Sequence, residues 1–330
     1  KKDNQFSPGR SKKFIIMHNN LKQKITILTP CFNELENLET LVEAIIKVRK
    51  KIPEITINHL FIDNASTDGT IEKLRSLALK YNHLQVILNN RNYGHIRSPI
   101  YGLFQAKGDA VVLMASDFQD PPELIVDFVE KWQNGYEAVI GIKKGSKESI
   151  LFYMIRSFYY NLINRLSDTP LIKNFTGFGL YSRKTIETLR SLEDPYPYFR
   201  GLISELGFNI AKVYFKQPIR KRGVTKNNFY TLYDMALLGI TNHSKIPLRL
   251  ATFSGFLFSF FSFLVGLGYF IYKLIFWDHF ELGMAPLVIG LFFFSAVQLI
   301  FIGIIGEYVG SIYTQTLKRP LVIEKERIGF

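Results

Sequence analysis

Residues 111–123 read VVLMASDFQDPPE. An apolar run stops at Asp117, Gln119 and Asp120, and two prolines follow. Two carboxylates and an amide within four positions are a set of oxygen donors. Hard dications take such ligands, and Mg²⁺ is usually held by one or two carboxylates plus substrate phosphates. Asp117 and Gln119 are two apart, so on a tight turn both can face one ion. The stretch therefore reads as the mouth of a strand that holds a metal-bound diphosphate. The plainer alternative is a helix cap ahead of Pro121 and Pro122, since proline suits the first turn of a helix.

The elements around the stretch decide between these. KITILTPCF (24–32), HLFIDNAS (59–66), LQVILNN (84–90), AVVLMASD (110–117) and AVIGIKK (138–144) have strand character. Residues 37–52, 67–81 and 95–107 have helical spacing, and a further helix starts at the two prolines. Thr67 or Asp68 is the expected cap of the second helix. Strands alternating with helices predict an α/β fold with a doubly wound, mostly parallel sheet. Ligands of such sheets bind outside the C-terminal ends of the strands. Those ends carry Pro30 and Asn33-Glu34, then Asp63-Asn64-Ala65-Ser66 with Asp68, then Asp117 to Asp120, then Lys143-Lys144. Acids, small polar groups and lysines thus converge on one edge, which favours the metal reading.

Other chemistries are excluded. The phosphate loop G-x-x-x-x-G-K-[ST] and the dinucleotide fingerprint G-x-G-x-x-G after the first strand are both missing. The six histidines are scattered, and Cys31 is the one cysteine, which leaves no disulfide framework and no thiolate metal site. A second basic element, KVYFKQPIRKRGVTK (212–226), carries Arg220, Arg222 and Lys226 and no acid. It reads as a phosphate clamp on a flexible loop, or as a solvated patch drawn to anionic lipid.

The chain has 330 residues, with 41 Lys+Arg against 28 Asp+Glu, a net charge of +13. Such a balance suits a polyanionic partner. Two long apolar runs, about 251–276 and 285–313, each exceed the ~20 residues that cross a bilayer as a helix. Lys245 and Arg249 precede the first, Lys318, Arg319, Lys325 and Arg327 follow the second, and the connection has Asp278 and Glu281 without Lys or Arg. The positive-inside rule places both termini in the cytoplasm. Residues 227–246 have an apolar stripe that suits a helix lying in the interface plane or one packed on the soluble part. The expected organisation is a disordered arm (1–20), a cytoplasmic catalytic domain (21–226), an interfacial amphipathic helix (227–246), two transmembrane helices (247–314) and a cytoplasmic tail (315–330). A site beside a membrane hairpin argues against nucleic acid as the partner. Gly303, Gly306 and Gly310 allow close helix contact, and so a homo-oligomer.

As an ordered set, TPCFNE (29–34), FIDNASTDGT (61–70), NRNYGHIRSPIYG (90–102), DFQDPPE (117–123), FTGFGLYSRK (175–184), RKRGVTK (220–226) and GEYVGSIY (306–313) resemble the polyisoprenyl-phosphate glycosyltransferases of glycosyltransferase family two. That group includes dolichol-phosphate mannose synthase and bactoprenol glucosyltransferases. The resemblance covers about residues 22–320. It implies a GT-A fold and an inverting, Mg²⁺- or Mn²⁺-dependent transfer of a sugar from a nucleotide sugar to the phosphate of a membrane polyisoprenol. UDP-glucose and undecaprenyl phosphate are the expected substrates, in an integral protein of the plasma membrane. By motif, Pro30, Phe32 and Glu34 line the base and ribose pocket, and Asp63, with Asn64 and Ser66, meets the nucleotide. Asp117 and Gln119 hold the metal, Asp120 is the runner-up as a base, and Lys143 contacts phosphate. Arg220, Arg222 and Lys226 close over the diphosphate or the lipid phosphate. The chain departs from the pattern at Ala115, where relatives carry a carboxylate. The rival from another class is a non-catalytic membrane module that binds nucleotide or lipid phosphate.

Overall fold

The structure, a computed structural model, describes residues 22–144, 172–218, 245–276, 284–317 and 319–330. Among them eight strands form one mixed sheet: β1 Lys24–Cys31, β2 Thr56–Asp63, β3 Leu84–Asn89, β4 Ala110–Leu113, β5 Ala138–Lys143, β6 Phe175–Ser182, β7 Ile210–Phe215 and β8 Glu324–Ile328. Their order is β7-β5-β6-β4-β1-β2-β3-β8. β1 runs parallel to β2 and β4, and β2 to β3. β6 is antiparallel to β4 and β5, and β8 to β3. The helices are α1 Leu35–Lys51, α2 Thr70–Lys80, α3 Gly94–Gln105, α4 Ile125–Gln133, α5 Arg183–Ser191, α6 Phe199–Glu205, α7 Ile246–Ile275 and α8 Met284–Thr316.

Helices cover both faces of the sheet because its central strands are apolar on both sides. Ile25, Ile27 and Cys31 of β1 belong to the core cluster with Leu38, Leu41, Val42, Ile45 and Val48 of α1, which recur at helical spacing. Each such side chain, fully buried, contributes about 1.5–3 kcal/mol over leaving it in water. Leu28 belongs to the opposite cluster with Ile100 and Leu103 of α3. Gly102 lets α3 lie close, because a Cβ there would come 2.8 Å from Leu28 Cδ1.

The α/β sheet with two apolar C-terminal helices agrees with the sequence, while several boundaries move. β2 ends at Asp63, since the backbone turns at Ala65 (φ 62°). α2 starts at Thr70 after Gly69 in the left-handed region, and Asp68 Oδ1 still accepts from Thr70 N at 3.1 Å. Pro122 opens a short 3₁₀ turn ahead of α4. The expected loop at 212–226 begins as strand: β7 runs to Phe215 and leaves Lys212 exposed.

The expected tail contains β8. Its Glu326 makes a forked ion pair with Arg75 of α2, at 2.7 and 2.5 Å. Glu324 accepts from Tyr101 of α3 at 2.8 Å, and Arg97 donates to the Pro320 carbonyl. The chain therefore returns from α8 to the sheet edge at β3. α7 and α8 are long and apolar enough to cross a membrane. Phe253, Phe256 and Phe292 on them are 75, 72 and 70% exposed, and surface this apolar and contiguous marks an interaction site.

The arm, the interfacial helix up to residue 244, and Arg220, Arg222 and Lys226 lie outside the described residues.

Candidate active site

Two adjoining cavity lobes open at the C-terminal ends of β1, β2 and β4, of about 450 Å³ and 390 Å³. They share Pro30, Glu34, His95, Pro99 and Ser116. Asp117, Asp120, Thr176, Tyr198 and Arg200 line the larger one. Cys31, Phe32, Asn64 and Asn92 line the smaller. The parallel register sets this up, pairing Cys31 with Asp63 and Leu28 with Leu113, so that three strand ends finish together.

The opening stretch explains itself locally. β4 stops at Leu113, and Met114 N still bonds Leu28 O at 3.1 Å. Ala115 N then turns to Asp120 Oδ2 at 2.9 Å. Asp117 Oδ1 accepts from Gln119 N at 3.1 Å across Phe118, whose φ is 60°. A non-glycine residue in that region is uncommon and costs energy. The two aspartates thus stabilise a turn that leaves the ladder and points the 115–117 backbone at the cavity. Gln119 does not line either lobe, and the bond between it and Asp117 is through its backbone N–H.

Burial pushes the Asp120 carboxyl up to about 6; the Ala115 N–H opposes this, Asp117 adds to it and Lys143 opposes it. Asp63 is fully buried beneath the smaller lobe and lines neither. Ser66 N and Oγ donate to it at 2.9 and 2.5 Å, and burial raises its carboxyl in spite of these bonds. Ser66 Oγ in turn accepts from Asn33 N at 2.8 Å. Asp63 and Ser66 therefore tie the loop after β2 to the loop after β1. Asn64 lines the smaller lobe with its amide engaged: Nδ2 donates to Asn92 Oδ1 at 2.8 Å, and Oδ1 accepts from Tyr93 N at 2.8 Å. Lys143 ends β5, and its charge acts on Asp120.

Several lining residues were absent from the sequence reading of the site, four of them on β6 and at the start of α6. Thr176 and Gly177 reach it because β6 runs antiparallel between β4 and β5 and starts at the site end, and Tyr198 and Arg200 because the chain returns after α5 to the start of α6 at the same cavity. Gly177 has φ 103°, a conformation that calls for glycine. The motif FTGFG was the available signal for 176–177; YPYFR (196–200) offered none.

Among the described residues no three of His, Cys, Asp and Glu stand close enough to cage an ion. Glu34, Asp117 and Asp120 nevertheless face one cavity. So sparse an oxygen set fits a dication that brings most of its ligands as water and substrate phosphate.

A family model described as glycosyl transferase family 2 matches residues 26–190. The chain is 32% identical over 308 residues to the uncharacterized glycosyltransferase YkcC of Bacillus subtilis, covering 92% of this chain and 94% of that one. It is also 32% identical over 305 residues to the bactoprenol glucosyl transferase of Shigella phage SfII, covering 92% and 98%. A solved mannosyltransferase from Pyrobaculum calidifontis, in complex with GDP-Man and Mn²⁺, aligns over 69% of this chain and 65% of its own at 18% identity, with a TM-score of 0.47.

Proposed function

The chain belongs to glycosyl transferase family 2 and is a glycosyltransferase, and on that premise we propose that it moves a hexose, glucose from UDP-glucose, to the phosphate of a membrane polyisoprenol such as undecaprenyl phosphate. The observation that carries the reading is the double cavity at the strand ends, with Asp117 and Asp120 on one side of Pro30 and Asn64 on the other. The smaller lobe, with Pro30, Phe32, Glu34 and Asn64, takes base and ribose. Asp63 and Ser66 serve it from below by holding its loop. The larger lobe takes the diphosphate and the sugar.

A phosphate monoester has its second pKa near 6, so the acceptor oxygen is already anionic at neutral pH. It forms the bond to the anomeric carbon from the face opposite the leaving group. The bond to the diphosphate breaks and the electron pair departs with the nucleoside diphosphate, with inversion. No proton needs to be removed, so Asp120 acts by shaping the 115–120 turn. Asp117 would hold Mg²⁺ or Mn²⁺, which when bound offsets charge on the diphosphate; Gln119 is assigned to the same ion from the sequence alone. Lys143 and Arg200 add positive charge near the same lobe. Arg220, Arg222 and Lys226 are assigned to the phosphates of donor or acceptor from the sequence alone. α7 and α8 anchor the protein in the plasma membrane with both termini on the cytoplasmic side, as the basic flanks direct.

The test is sugar transfer by the purified full chain in detergent. It receives undecaprenyl phosphate and Mg²⁺ or Mn²⁺ with UDP-glucose, UDP-galactose, UDP-GlcNAc or GDP-mannose in parallel. Lipid-linked glucose should form, vanish with EDTA, and drop about a hundred-fold or more in Asp117→Asn. Nucleotide binding without product from any donor would overturn the catalytic reading and leave a binding module.

A further inference from the structure

Three arginines gather where α8 gives way to β8. Arg91 and Arg97 both lie over the Tyr93 ring, their guanidinium carbons 4.1 and 5.5 Å from its centroid. Arg97 donates through Nη2 to the carbonyl of Pro320, next to Arg319. Its Nε is buried and has no hydrogen-bond partner. Among the described residues no carboxylate pairs with Arg91, Arg97 or Arg319. Burial, followed by the charges of Arg91 and, more weakly, Arg319, lowers the Arg97 pKa from its usual value. Like charges held together without a counter-ion are costly, and an anion relieves that cost.

Position tells which anion. Arg319 stands three residues past Thr316, the last residue of the apolar stretch Ile289–Thr316, so the cluster sits at the depth where lipid headgroups begin. Guanidinium forks match phosphate oxygens, with two parallel bonds available to each group. We infer that Arg91, Arg97 and Arg319 form a binding site for the phosphate of an anionic phospholipid headgroup in the bilayer that α7 and α8 enter. The site is separate from the cavity, whose lining includes none of the three. The inference rests on the membrane placement proposed above and not on the transfer reaction.

Full-length protein in non-ionic detergent is titrated in parallel with dihexanoyl phosphatidylglycerol, dihexanoyl phosphatidylcholine, inorganic phosphate and undecaprenyl phosphate, and its thermal midpoint is followed. The double variant Arg91→Gln/Arg319→Gln leaves the Arg97 tie to Pro320 in place. The parent should gain stability from phosphatidylglycerol only. The double variant should need about 25-fold more of it, at about five-fold per arginine near anionic lipid. Arg91→Lys/Arg319→Lys keeps the charges and should keep the preference for phosphatidylglycerol, which controls for a variant that folds poorly. Equal responses of parent and glutamine variant, or loss of the preference in the lysine variant, would overturn the site. So would the same stabilisation from inorganic phosphate at equal concentration, or an effect confined to undecaprenyl phosphate. Sedimentation of the untreated chain with membranes is scored separately, so a failure of the membrane placement shows on its own.

Discussion

Lowering the pH from 7 to 5 is expected to destabilise the sheet through His59. This residue lies in the middle of β2, fully buried, with its ring 4.1 Å from that of Phe61. Nε2 meets Thr29 Oγ1 at 3.0 Å, and Nδ1 has no hydrogen-bond partner. A second proton on the ring would have no acceptor. Burial, reinforced by the neighbouring His83, takes the His59 pKa from 6.5 to about 3. The sign follows from a depressed pKa on a base: the stability is complete above 6.5 and drains away as pH falls toward 3. At pH 5 the unfolded ring has taken its proton and the folded one has not, a difference of about 2 kcal/mol. Two other groups also titrate in this range. His83, held down to about 4 chiefly by burial with Arg49 adding to it, shifts in the same direction. Asp120, raised from 3.8 to about 6, shifts in the opposite one. The variant His59→Gln keeps a polar group toward Thr29 and removes the titration, so the quantity to measure is the difference between two pH slopes. Thermal unfolding of both proteins in detergent at pH 7 and pH 5 should show the parent losing about 5 °C more than the variant. Parallel losses would refute the reasoning, because they would mean that His59 is protonated equally in both states.

Gly179→Ala places a Cβ 2.5 Å from the Val139 carbonyl oxygen and 3.1 Å from Ile140 Cα; the backbone must shift, so the thermal midpoint should fall by the equivalent of about 1–3 kcal/mol. Asp63→Asn turns one acceptor into a donor that faces the Ser66 hydroxyl; UDP should bind about ten-fold more weakly in calorimetry while the protein stays folded. Arg75→Ala removes an ion pair whose side chains are 44 and 35% exposed, so it should cost under about 1 kcal/mol. Deleting residues 321–330 uncovers the backbone of β3 and should raise hydrogen exchange across Leu84–Asn89, where Arg75→Ala should not.

The first five strands were legible because each is an apolar run closed by a turn signal, and a parallel sheet must finish its ligand-binding ends along one edge. That logic brought Pro30, Glu34, Asp117 and Asp120 together in one cavity. It overran β2 and β4 by a few residues, since the carboxylates that end them bond back to nearby N–H groups at Ser66 and Ala115, a choice invisible to hydrophobic pattern. Tyr198 and Arg200 were not legible because they depend on the chain returning after α5 to the same cavity. β8 escaped notice because EKERI is four-fifths charged. Its glutamates are satisfied by Arg75, Tyr101 and Arg327, partners far off in sequence or on its own strand.

β8 also sets an order of events during synthesis. β3 is translated more than two hundred residues before β8, and in the interval one long side of it is a bare edge, open to any strand that comes by. The two apolar helices are made within that interval. Closing the edge therefore has to wait until α7 and α8 have been made, and the sheet becomes complete only after both apolar segments have left the ribosome. On the membrane placement proposed above, a chain whose helices miss the bilayer would keep both liabilities at once, exposed phenylalanines and an unpaired strand, which marks it for aggregation or removal.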